Sequence, residues 1–164
     1  EVAKEVNGQI FSDIQQTLAL GGLTNGVTNL ELNAAYACIA NGGTYIEPKL
    51  YTKVVDHDGN VILDNTSSET RQVFKETSAY LLTSAMQDTV IRGTGTAVNF
   101  GGMPIAGKTG TAEEARKRAN HALFVSYAPY DNPEVTAKAI RLGIFALIRP
   151  VITFTEGLCV AMIR

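Results

Sequence analysis

Lys108, Thr109 and Gly110 sit inside the run Pro104-Ile105-Ala106-Gly107-Lys108-Thr109-Gly110-Thr111. A small apolar approach leading into a cation, a hydroxyl and a glycine suits a strand whose edge holds an anionic substrate. Lys108 would supply charge, Thr109 a hydroxyl, and Gly110 room for another backbone to come close. The same letters fit a second chemistry. Gly102 through Thr109 reads G-x-x-x-x-G-K-[ST], the phosphate-cradling loop of nucleotide-binding proteins. That loop requires a buried strand before it and a helix after it. Residues 94–101 are too polar and glycine-rich for such a strand. Gly110 would fall in the first helical turn, at a cost of about 1 kcal/mol against alanine. The following run from Ala112 to Ala119 does read as helical, but no apolar run ending in aspartate follows to hold Mg²⁺.

A nucleophile is harder to find. The six serines are Ser12, Ser67, Ser68, Ser78, Ser84 and Ser126; none has a lysine three residues on or an asparagine two residues on. No serine therefore carries an activating base at a helical offset. The two cysteines, Cys38 and Cys159, lie far apart without metal-ligand spacing, and Cys38 falls in an apolar helix as a small core residue. His57 in a turn and His121 at a strand start read as surface residues, so no metal or cofactor is expected. The 164 residues amount to one domain or part of one, and a net charge of −2 gives no reason to expect a nucleic-acid partner.

The elements that must position Lys108 are legible from pattern. Thr28 and Glu31 form a T-x-x-E capping box opening a helix to about Ala40, with Leu32, Ala35 and Ile39 on one face and Asn41-Gly42-Gly43 as its stop. Residues 50–56 and 60–64 read as a hairpin turning at His57-Asp58-Gly59-Asn60. A second helix is predicted over 76–91, with Ala79, Leu82, Met86 and Val90 along its buried face, ended by Gly93-Thr94-Gly95. Strands follow at 104–111, 121–127 and 134–140. In the last of these Val135, Ala137 and Ala139 alternate with Glu134, Thr136 and Lys138, as on a half-buried strand. From residue 142 the tail is apolar, but its longest uninterrupted run is seven residues, against the roughly 20 a membrane span requires.

The stretch from Leu18 to Thr44, Pro48 through Asp64, Gly93-Thr94-Gly95-Thr96-Ala97 and Gly101 through Thr111 together resemble the penicillin-binding proteins that carry both a glycosyltransferase and a transpeptidase domain. Residues 112–134 are more similar to the monofunctional branch of that superfamily. The resemblance implies an α+β fold of the β-lactamase/transpeptidase type, an antiparallel sheet with packed helices. Residues 1–141 would form the C-terminal part of the domain and 142–164 an unassigned tail. The family's S-x-x-K and S-x-N motifs would lie upstream. The implied activity is D,D-transpeptidation of peptidoglycan stem peptides ending in D-Ala-D-Ala, inhibited by β-lactams, at the outer face of a bacterial cytoplasmic membrane with the anchor outside this chain. Lys108 and Thr109 would receive the substrate's terminal carboxylate, and the backbone N–H of Thr111 would be one oxyanion-hole donor. Without the layer bearing the nucleophile, Ile105, Leu123 and Val125 are expected to lose part of their cover, so the chain should bind the rest of its domain or self-associate. A non-catalytic fragment of the same fold is the remaining alternative.

Overall fold

The computed structural model describes residues 3–23, 26–99, 101–112, 121–141 and 159–162. The chain opens with a hairpin, β1 (Ala3–Val6) and β2 (Gln9–Ser12), turning on Asn7 and Gly8, both at positive φ. Helix α1 (Asn29–Ala40) follows, then β3 (Thr44–Ile46), β4 (Lys53–Val55), β5 (Val61–Asp64) and β6 (Thr70–Gln72). Helix α2 (Glu76–Arg92) leads to β7 (Ala106–Ala112), β8 (His121–Ala128) and β9 (Val135–Arg141); β10 (Cys159–Met162) closes the chain. The last four strands form an antiparallel sheet in the order β10-β9-β8-β7. Among its described residues the tail adds one short strand beside β9. The helical pattern predicted over 112–119 lies, from residue 113 on, outside the described residues.

Helix α1 begins as its capping box dictates. The Thr28 hydroxyl accepts from the Glu31 N–H at 3.2 Å, and the Glu31 carboxylate accepts from the Thr28 N–H at 2.7 Å and its hydroxyl at 2.8 Å. These bonds hold the Glu31 carboxyl below its ordinary pKa. The helix ends at Ala40; Gly42 and Gly43 after it both take positive φ, 61° and 87°, and a Cβ at Gly43 would run into the Phe74 carbonyl. Its buried residues are Asn33, Ala34 and Cys38, not the predicted stripe: Leu32 and Ile39 are half-buried and Ala35 is exposed. The helix is apolar nearly all round, so its pattern could not select a face. Burial pushes the Cys38 thiol pKa up, as expected of a core cysteine.

Both helices pack on one face of the sheet. Met86 of α2, Ala106 of β7 and Tyr127 of β8 form the buried centre, with Tyr36, Ile39 and Ala40 of α1 and Tyr130 against it. On α2 the buried stripe runs Ala79, Met86, Val90, while the predicted Leu82 is 47% exposed. Thr83 takes the place on the stripe that Leu82 was expected to fill. Its hydroxyl donates to the Ala79 carbonyl at 2.9 Å and bonds the Tyr127 hydroxyl, so the buried phenol finds a partner in a half-buried threonine. Burial raises the Tyr127 pKa.

Register decides burial on β9 as well. Thr136 pairs with Tyr127 and is buried on the helix-covered face, while Val135 and Ala137, predicted to face the core, are half-buried. Val125, expected to lose part of its cover, is fully buried on that same face; Ile105 and Leu123 are half-buried. The β4–β5 hairpin stands off the core, and its loop is tied by Asp56. That carboxylate accepts from the N–H of Asn60 at 2.8 Å, the Asn60 side chain at 2.9 Å and the N–H of Asp58 at 2.9 Å, which lowers its pKa.

Candidate substrate-binding site

Strand β7 is the outermost strand of the four-stranded sheet, paired on one side with β8 and, among the described residues, with no strand on the other. Lys108, Thr109, Gly110 and Thr111 occupy its centre, opposite Val125, Phe124, Leu123 and Ala122. Lys108 is exposed, and its ammonium donates to the Thr109 carbonyl at 2.7 Å. The half-buried Thr109 bonds through its hydroxyl to the Thr94 hydroxyl at 2.7 Å.

The glycines of this strand make room for side chains of β8. A Cβ at Gly110 would lie 2.9 Å from Leu123 Cδ1, so within the chain its close neighbour is a cross-strand leucine. A Cβ at Gly107 would lie 3.0 Å from Ser126 Cβ and from the Val125 carbonyl, and would strike the tip of the Phe124 ring. The same ring reaches the turn after α2, where it would be 3.3 Å from a Cβ at Gly95. That turn is pinned to the helix end: the N–H groups of Gly93 and Gly95 both donate to the Thr89 carbonyl, at 3.2 and 2.9 Å. Sequence reasoning treated Gly93-Thr94-Gly95 as a helix stop and missed Thr94 as a neighbour of Thr109. The signal available was a hydroxyl flanked by two glycines, a short segment able to press against another backbone.

This geometry overturns the phosphate-loop alternative. In such a loop the lysine and threonine open a helix whose N–H groups face phosphate. Here Gly107, Lys108 and Thr109 are ladder residues in the interior of a strand. A lysine and a threonine on an open strand edge can instead hold an extended chain, the cation and hydroxyl meeting an anionic group while the backbone offers strand pairing. Among the described residues no group of three or more His, Cys, Asp or Glu side chains could hold a metal ion.

A helix-backed antiparallel sheet presenting Lys108-Thr109-Gly110 on its edge defines the β-lactamase/transpeptidase class of fold. The family profile described as penicillin binding protein transpeptidase domain matches residues 1–140, and the chain belongs to that family. It is 41% identical over 114 residues to penicillin-binding protein 1A of Clostridium acetobutylicum, an alignment covering 69% of this chain and 13% of that protein. Among solved structures it resembles the D,D-transpeptidase domain of a peptidoglycan glycosyltransferase from Eggerthella lenta, with TM-score 0.65 and 33% identity over 72% of this chain and 28% of that one. It also resembles the imipenem acyl-enzyme complex of penicillin-binding protein A from Mycobacterium tuberculosis, with TM-score 0.62 and 29% identity over 70% of this chain and 26% of that one. The chain therefore spans a minor part of the length of its relatives. No helix among the described residues is long and apolar enough to cross a membrane.

Proposed function

We propose that this chain is the carboxylate-binding side of a D,D-transpeptidase that cross-links peptidoglycan stem peptides at the extracytoplasmic face of a bacterial membrane. The nucleophile and its lysine base come from the rest of the transpeptidase domain, since no serine here has a lysine three residues on. The serine oxygen attacks the carbonyl between two D-alanines, the C–N bond breaks, and D-alanine leaves with a proton on its amine. The amine of a neighbouring stem then attacks the acyl-enzyme, forming a new amide and restoring the serine. A β-lactam follows the first half of this path and remains attached as the opened acyl group.

Lys108 supplies positive potential for the terminal carboxylate and Thr109 hydrogen-bonds to it, while the stem peptide pairs along the free edge of β7. The Thr111 N–H stabilises the oxyanion, a type of donor whose loss costs about 10²- to 10³-fold in rate. The rest of the domain is the partner of the apolar side chains left outside the core, such as Tyr80, Leu81 and Ile91 of α2.

The single observation that supports this reading most is the placement of the exposed Lys108 at the centre of an outermost strand, beside a threonine hydroxyl. In the complete transpeptidase domain, Lys108→Ala should slow acylation by benzylpenicillin at least about tenfold, the loss of a charge-assisted contact, with an unchanged thermal melt. Stopped-flow acylation beside calorimetry measures both. Normal acylation with a depressed melt would assign Lys108 to structure and overturn the proposal.

A further inference from the structure

We infer that Thr94 is a positioning residue for Thr109: its hydroxyl donates to Thr109, so that the Thr109 proton is left to point at the substrate carboxylate. The inference rests on the transpeptidase reading of Thr109 and adds a residue from a different element to that site. The two hydroxyl oxygens are 2.7 Å apart, so one donates to the other. A threonine hydroxyl has one proton. If Thr109 spent its proton on Thr94, it would turn lone pairs toward an anion. With Thr94 as donor, the order runs from Thr94 to Thr109 to carboxylate, and each bond polarises the next. The exposed Thr94 keeps its own lone pairs hydrated.

The backbone around Thr94 fixes where that hydroxyl sits. The N–H groups of Gly93 and Gly95 converge on the carbonyl of Thr89, at 3.2 and 2.9 Å. Neither glycine accepts a side chain without displacing backbone: a Cβ at Gly93 would lie 2.8 Å from Thr89 Cα, and one at Gly95 3.2 Å from the Thr89 carbonyl oxygen. The buried Gly95 also rests against Phe124, the cross-strand partner of Thr109. The end of α2 and the centre of β7 are therefore clamped through one ring, and Thr94 is carried to Thr109 by that clamp and not by the flexibility of a loop.

The test compares acylation of the complete transpeptidase domain by benzylpenicillin and by its methyl ester, which lacks the carboxylate charge. Thr94→Val keeps the shape and removes the hydroxyl. It should slow the free acid roughly three- to tenfold, the rate equivalent of one neutral hydrogen bond, and leave the ester nearly unchanged. Thr94→Ser should restore the free-acid rate, and Thr94→Ala should repeat the valine result if valine disturbs the turn. Equal losses on acid and ester, no loss on either, or a serine variant as slow as valine would each overturn the inference. Thr109→Val, run beside them, separates the two levels. A free-acid defect in Thr109→Val with a normal Thr94→Val refutes the role of Thr94 alone. A normal Thr109→Val refutes carboxylate binding by Thr109 and the inference with it.

Discussion

Gly107→Ala adds one methyl group at a place where the surroundings cannot yield. The new Cβ would lie 3.0 Å from the Val125 carbonyl oxygen, which belongs to the β7–β8 ladder, and 3.0 Å from Ser126 Cβ. It would also strike the tip of the Phe124 ring, whose neighbouring edge already lies against the Gly95 turn. Overpacking of this kind costs about 1–3 kcal/mol. Alanine also restricts the unfolded chain, which returns about 0.4–1 kcal/mol. The net expectation is a loss of roughly 1–2 kcal/mol, measured by urea denaturation of the complete transpeptidase domain. Phe124→Leu vacates the ring's position and is destabilising alone by lost packing. Combined with Gly107→Ala it should cost less than the sum of the two, a coupling of at least about 0.5 kcal/mol. Additive effects, or a Gly107→Ala variant as stable as the parent, would refute the contact between strand and ring.

Asn33 is fully buried in α1, and neither polar atom of its side chain has a hydrogen-bond partner among the described residues. Asn33→Leu should therefore stabilise the domain by about 1–3 kcal/mol in the same denaturation assay; a loss of stability would mean that Asn33 is paired in the complete domain. Acid should weaken the fold through three exposed carboxyls whose pKa values are held down. These are Glu31 by the Thr28 bonds, Asp56 by Asn60 and Asp64 by Thr66. A folded pKa below the unfolded one contributes stability that is complete above the unfolded values, 4.5 for Glu and 3.8 for Asp, and is lost as pH falls through the folded values. Thermal melts at pH 6, 4 and 3 should thus descend (pH values roughly bracketing those carboxyls), and Asp56→Asn should flatten part of the fall. A melt that does not move with acid would contradict the carboxylate bonds.

What the sequence disclosed depends on whether local chemistry or distant pairing set the outcome. The capping box of α1, the glycine stop at Gly43 and the Asp56 loop are local, and each was legible. The Lys108-Thr109 strand was legible because its motif has few structural uses. Burial along an element was not, since it follows register and partners: Thr83 and not Leu82 faces the core because Tyr127 offers it a hydroxyl, and Thr136 is buried because it pairs with Tyr127. The β3–β6 pair joins segments far apart in sequence and left no periodic signal. The β1–β2 hairpin did leave one, Asn7-Gly8, a dipeptide that favours a two-residue turn. Thr94 left only the local sign of a hydroxyl between two glycines, and nothing in the sequence relates the end of α2 to the middle of β7.

The free edge of β7 has a consequence beyond catalysis. A strand edge open to a peptide, as proposed above, is open also to any other exposed strand, which is the geometry of sheet-to-sheet aggregation. Lys108 places an ammonium at the centre of that edge, and Gly107 and Gly110 deprive it of the side chains that favour strand stacking. An uncharged strand arriving there meets a cation to desolvate and two positions that offer no side chain of their own to pack on, while one ending in a carboxylate meets a counter-charge. The residues that make the edge receptive to its ligand thus also protect it from the wrong company, and a charge-removing change at Lys108 would weaken both safeguards at once.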